Sequence, residues 1–163
     1  MVRVHQGITF LLLYFIAVCA VRGSCLKTVL NEIDGTRKFF EVMEGLDFWQ
    51  SIEGLDHAVL LVPNDAALEA FPKLFNDYNI SDTDTCREKL AKQIAYHVLP
   101  GISEINTERL GKQPTLHGSR VLVEIDETDH LMVDASPILD GPYYFDHGSV
   151  YVIERFIFSN VWK

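Results

Sequence analysis

The chain has 163 residues, 48% of them apolar and 23% charged, with 14 Lys and Arg against 23 Asp and Glu for a formal net charge of −9. That length fits one globular domain, and the acidic balance excludes a basic nucleic-acid surface. Ordinary usage of glycine and proline, 10 and 6 residues, excludes collagen-like or low-complexity chains.

In chain order, Arg3 and His5 precede the apolar stretch Ile8 to Val21, and the small residues Ala20, Gly23 and Ser24 follow. This is the layout of a secretory signal peptide, and a stretch interrupted by Thr9 and Tyr14 falls short of the ~20 residues that span a bilayer. Residues 1–24 are expected to be removed, with cleavage after Ala20, Gly23 or Ser24, and residues 25–163 to form one secreted, extracellular domain. Removal takes away Arg3 and Arg22 and no acid, which leaves 12 cations against 23 acids, or −11. The closing FIFSNVWK carries no lipid-anchor signal. Cys19 leaves with the signal; Cys25 and Cys86 remain as an even pair in an oxidising compartment, predicting one disulfide, with two separate thiols as the alternative. Asn79-Ile80-Ser81 is an N-glycosylation sequon in a polar stretch.

Leu26, Val29, Leu30 and Ile33 repeat at helical spacing before Gly35, and Phe39, Phe40, Met43 and Leu46 continue in a second helix. Phe48, Trp49 and Ile52 fit a third, closed by Gly54. The unalternating run Ala58 to Val62 predicts a strand buried on both faces, followed by a short helix from Ala66 to Phe71 capped by Asn64 or Asp65. Cys86, Leu90, Ala91, Ile94, Ala95 and Val98 stripe the longest helix, which Leu99-Pro100-Gly101 ends. Beyond it the period becomes two, predicting strands at Thr115 to His117, Arg120 to Ile125, His130 to Asp134, Ser149 to Ile153 and Phe156 to Phe158. Helices first and an antiparallel sheet second give an α+β fold.

Motifs for catalysis are missing from this pattern. Gly101-Ile102-Ser103-Glu104-Ile105 is half of a nucleophile elbow, and the turns His117-Gly118-Ser119 and His147-Gly148-Ser149 hold their His and Ser as turn residues. The histidines are scattered without metal-ligand spacing, and Asp82-Thr83-Asp84 lacks the later residues of a calcium loop. No catalytic, metal-binding or cofactor-binding residue is assigned. The expectation is a non-enzymatic binding domain. Tyr96 and His97, just before the Pro-Gly stop, are expected to be structural, because an imidazole there can bond free helix carbonyls. Tyr143, Tyr144 and Phe145, in a predicted loop from Asp140 to Asp146, form a possible contact patch, with core packing as the alternative.

Three segments, AVLLVPNDAAL (58–68), AYHVLPG (95–101) and HGSVYVIERFI (147–157), resemble in order and spacing the motifs of the fasciclin-like domain. On that resemblance Pro63, Asn64, Asp65, Tyr96, His97, Gly148 and Glu154 occupy the structural motif positions. Asn64 and Leu68 replace the usual Thr and aromatic, His147 replaces Asn, and Glu154 replaces Asp. The resemblance implies a wedge in which a twisted antiparallel β-sandwich is packed with short helices. It also implies cell adhesion or extracellular-matrix interaction, with a surface protein, matrix component or glycan as partner. An Asp-Ile pair tied to integrin binding in some animal members would fall near Pro142-Tyr143 and is missing. The competing function is a small-molecule or lipid carrier, which would need a deep apolar pocket between sheet and helices.

Overall fold

The computed structural model describes residues 24–70 and 84–159. Three short helices, α1 (Leu26–Glu32), α2 (Arg37–Leu46) and α3 (Trp49–Glu53), lead into strand β1 (Ala58–Pro63), helix α4 (Asp65–Glu69) and the long helix α5 (Asp84–Tyr96). There follow β2 (Val98–Pro100), a 3-10 turn (Thr107–Arg109), β3 (Gly111–Pro114), β4 (Arg120–Ile125), β5 (Leu131–Val133), β6 (Ser136–Phe145) and β7 (Gly148–Ile153). The hydrogen-bonded order is β2-β1-β7-β6-β5-β4-β3. The α+β layout is as read from the sequence.

All six residues of β1 and all six of β7 are buried. Their side chains alternate between two cores. Ala58, Leu60, Val62, Val150 and Val152 face a cluster built with Leu30, Phe39, Met43, Trp49 and Ile52 from the helices. Val59, Leu61, Tyr151 and Ile153 face a second cluster with Val121, Val123 and Val133 from the other half of the sheet. A strand with apolar residues on both faces is stable only between two such layers, as the unalternating run Ala58 to Val62 predicted.

The structure departs from the sequence reading in several places. Val98, expected on the longest helix, lies beyond its end at Tyr96 and in β2, where Val98 to Pro100 pair with Leu60 to Ala58 of β1. The sheet is mixed, not purely antiparallel, because β1 and β7 pair in parallel from Ala58↔Gly148 to Pro63↔Ile153. These strands are joined through most of the domain and not by a hairpin, so no turn dictates their direction. Residues 140–145, expected in a loop, belong to β6, which accommodates Gly141 and Pro142 through shifts of register between Ile138 and Asp140 and between Asp140 and Tyr143. Proline lacks a ladder donor and is tolerated at such irregularities, so the turn signal was real but did not end the strand. Phe156 to Phe158 is not a strand. Thr115 to His117 is a turn following β3, with Leu116 and His117 donating backbone bonds to Val98 and Ala95.

Candidate functional site

The three sequence motifs meet at the junction of β1, β7 and the end of α5. Asn64 caps α4 by accepting from the Ala67 amide at 2.8 Å, and its own amide bonds to Ile153 of β7 at 3.0 Å. Asp65 receives the Lys38 amide on its carboxylate at 2.8 Å and donates its amide to Gly35 at 2.7 Å, so it ties α4 to the start of α2. Pro63 closes β1 opposite Ile153, at the last rung of the parallel pair. Gly148 opens β7 at the first rung, where a Cβ would stand 1.7 Å from the Ala58 carbonyl oxygen, so no side chain fits. Glu154 is placed differently: its backbone bonds Pro137, while its exposed carboxylate pairs with Arg155 at 3.4 Å.

His97 is fully buried at the end of α5. Its Nδ1 lies 2.9 Å from the Gln93 carbonyl, which can only accept, so Nδ1 carries the proton and Nε2 accepts from the Ile157 amide at 3.3 Å. Burial pushes its pKa down from 6.5 to about 4, which keeps the ring neutral in this role. Gln93 repeats the device one turn earlier, accepting from the Ser159 amide at 3.4 Å and donating to the Ser159 hydroxyl at 3.0 Å. Segment 156–159 therefore has two side chains, His97 and Gln93, satisfying its Ile157 and Ser159 amides where a strand would have a ladder. Tyr96 points to the other half of the sheet, donating its hydroxyl to Asp134 and lying within 3.2 Å of the Arg120 carbonyl. Burial first, and then the Asp134 carboxylate, raises the Tyr96 pKa. Asp134 also accepts from the Leu122 amide at 2.7 Å, and it and Ala135 hold left-handed backbone at φ 47° and 62°. Gln93, Ser159 and Asp134 went unread in the sequence. Only Gln93 left a signal, a polar residue on the buried side of an amphipathic helix.

The aromatic triplet is split by the alternation of β6. Phe145 is buried in the helix-side core and Tyr143 packs against it, with its hydroxyl bonded to Asp140. Tyr144 is 59% exposed and reaches Glu104 at 3.1 Å, a bond that raises its pKa. Phe145 is therefore a core residue and not a contact residue, because one face of β6 looks inward. The expected disulfide is likewise not formed. Cys25 is exposed ahead of α1 with its thiol 3.1 Å from the Thr28 hydroxyl, beside Asp146 and His147, whereas Cys86 lies in the first turn of α5, next to Arg87, which reaches the Gly45 carbonyl at the end of α2. The bond to Thr28 lowers the Cys25 pKa. Asn79 and nearly all of the signal sequence lie outside the described residues.

Among the described residues, an open cleft of about 690 Å³ lies beside Tyr96. Lys112, Arg120 and Arg155 line it together with Leu122 and Phe158. Among the described residues no three His, Cys, Asp or Glu side chains gather to hold a metal ion, and no helix is long and apolar enough to cross a membrane.

Residues 34–159 match the Fasciclin domain family over most of the chain. The chain belongs to the fasciclin family. Domains of this family are generally non-catalytic modules of adhesion and the extracellular matrix. Among solved structures, the fasciclin fold is seen in one described as "Novel Fold Revealed by the Structure of a FAS1 Domain Pair from the Insect Cell Adhesion Molecule Fasciclin I". The likeness has a TM-score of 0.54 at 18% identity and covers 76% of this chain and 45% of that one, so this chain spans under half of that domain pair. No curated protein matches the chain. The fasciclin match covers all three segments that carried the resemblance in the sequence, and the structure shows their residues serving mainly to join strands and helices.

Proposed function

We propose that the chain is a secreted, non-catalytic adhesion module that binds a surface protein, matrix component or glycan. Membership of the fasciclin family carries this reading. The motif side chains support it in a second way: Asn64, Asp65, Tyr96 and His97 spend their polar atoms on neighbouring elements, so recognition falls to the surface. Residues 1–24 act as the signal peptide, residues 25–163 form the mature domain, and Asn79 carries the glycan. Tyr144 is the contact residue within the aromatic triplet, since it alone of the three stands largely in solvent. An exposed ring with a polar tip offers large contact area at small entropic cost.

The test is binding of the purified, secreted protein to cell surfaces and to matrix-coated plates, with the wild type set against Tyr144→Ser. N-terminal sequencing should find a first residue between Val21 and Cys25, and glycosidase treatment should shift the mass. The adhesion reading expects saturable binding that Tyr144→Ser weakens while secretion continues. Binding by neither protein to any surface would sink it, and undiminished binding by the variant would move the contact elsewhere.

A further inference from the structure

The cleft beside Tyr96 gathers cations in a chain whose net charge is −9. Two of them, Lys112 and Arg120, sit on the outward face of the β3–β4 pair. The register sets Lys112 opposite Leu122 and Pro114 opposite Arg120, so the two cations are diagonal neighbours with the exposed Leu122 between them. Neither makes an ion pair among the described residues, although Lys27, Arg37, Lys38 and Lys92 are each paired with a glutamate. Arg155 enters from the turn after β7, its backbone fixed by two bonds to the Ser136 hydroxyl at 2.9 and 3.4 Å. Three separate stretches of sequence thus bring positive charge to one opening.

The acids of the cleft are Glu124 and Asp134. Asp134 is engaged by the Leu122 amide and the Tyr96 hydroxyl, so its carboxylate is stabilised without using a cation. Glu124 is the exposed diagonal neighbour of Lys112 on the other side. Arg155 is already paired with Glu154 at 3.4 Å, so Lys112 and Arg120 are the cations of the cleft without an ion pair among the described residues, and two adjacent cations suit a single anionic head better than a polyanion. Leu122 and the half-buried Phe158 supply apolar surface in the same opening, whose volume of about 690 Å³ admits a small organic molecule.

We propose that this cleft binds a small amphiphilic organic monoanion, its carboxylate or sulfonate head against Lys112 and Arg120 and its apolar body on Leu122 and Phe158. The inference is independent of the adhesion reading, which concerns Tyr144.

The probe is the aromatic sulfonate 8-anilinonaphthalene-1-sulfonate, titrated by fluorescence into the folded protein, with the uncharged N-phenyl-1-naphthylamine and inorganic sulfate as partial ligands. Saturable binding of the sulfonate is expected. The double variant Lys112→Glu with Arg120→Glu should weaken it about tenfold or more, whereas Lys92→Glu, on α5 outside the cleft, should leave it unchanged. Glu124→Gln should tighten it a few-fold with an unchanged thermal melt, the melt being needed because a loosened fold also binds this dye. Amide shifts in NMR spectra of the wild type should centre on Lys112, Arg120 and Leu122. The proposal is overturned if the sulfonate does not saturate, if the uncharged dye or sulfate alone binds as tightly, if Glu124→Gln leaves binding unaltered, or if the shifts fall on other residues.

Discussion

Every residue of β1 and β7 is buried, whereas β4 alternates buried Val121 and Val123 with exposed Arg120, Leu122 and Glu124. The central pair lies between two cores, with one Ala58 carbonyl closing directly over Gly148. Packed interiors cannot absorb even one additional carbon there without moving a backbone. The outer strands have one face in water, so half their residues are free of packing duty and can carry charge. The motifs that identify the family lie mostly in the first region, and the cationic cleft is built largely from the second.

The sharpest way to break this comparison is Gly148→Ala. Its Cβ would overlap the Ala58 carbonyl, and separating the parallel pair should cost about 4 kcal/mol or more, a large share of the stability of a domain of this size. Leu122→Ala on the outer strand should cost under about 1 kcal/mol, since the side chain is already 37% exposed. Urea unfolding of the two variants side by side measures both; similar midpoints would mean that the centre is as forgiving as the edge.

A smaller effect is expected at His97, which joins α5 to the chain after β7. With a pKa of about 4 when folded and 6.5 when unfolded, the unfolded chain binds more protons between those values. Stability should therefore fall as the pH drops from about 6.5 to about 4, by about 3 kcal/mol in total, and change little from this group outside that window. Replacing it by alanine strands the Gln93 carbonyl and the Ile157 amide, costs roughly 1–3 kcal/mol at neutral pH and should flatten the pH dependence. Calorimetry at pH 7, 5.5 and 4 checks both; an alanine variant with the wild-type pH slope would assign the dependence to other groups.

Tyr96→Phe should cost about 1–2 kcal/mol, because it removes the hydroxyl that meets Asp134. Combined with Asp134→Ala the losses should not add, and a double-mutant cycle that gave simple additivity would show the pair to be uncoupled. Smallest of all, Tyr144→Ser should change stability by no more than about 0.5 kcal/mol, while Tyr143→Ser should cost about 1 kcal/mol or more because that ring packs against the helix-side core. Thermal melts of the two serine variants compare adjacent residues on opposite faces of β6.

The amino-acid sequence alone determined the helices at Leu26–Glu32 and Arg37–Leu46, the doubly buried strand at Ala58–Pro63 and the α+β order, because periodicity and local turn chemistry act over a few residues. It also carried the family, since the motif positions demand particular residues: a cap at Asn64, a ring with two usable nitrogens at His97, no side chain at Gly148. The parallel pairing of β1 with β7, the passage of β6 through Gly141-Pro142 and the side-chain support of Phe156 to Phe158 were decided only in three dimensions. So were the burial of Phe145 against the exposure of Tyr144 and the meeting of Lys112, Arg120 and Arg155. Each depends on which distant segment lies alongside, and local pattern holds no record of a partner that packing, register and long-range hydrogen bonds select together.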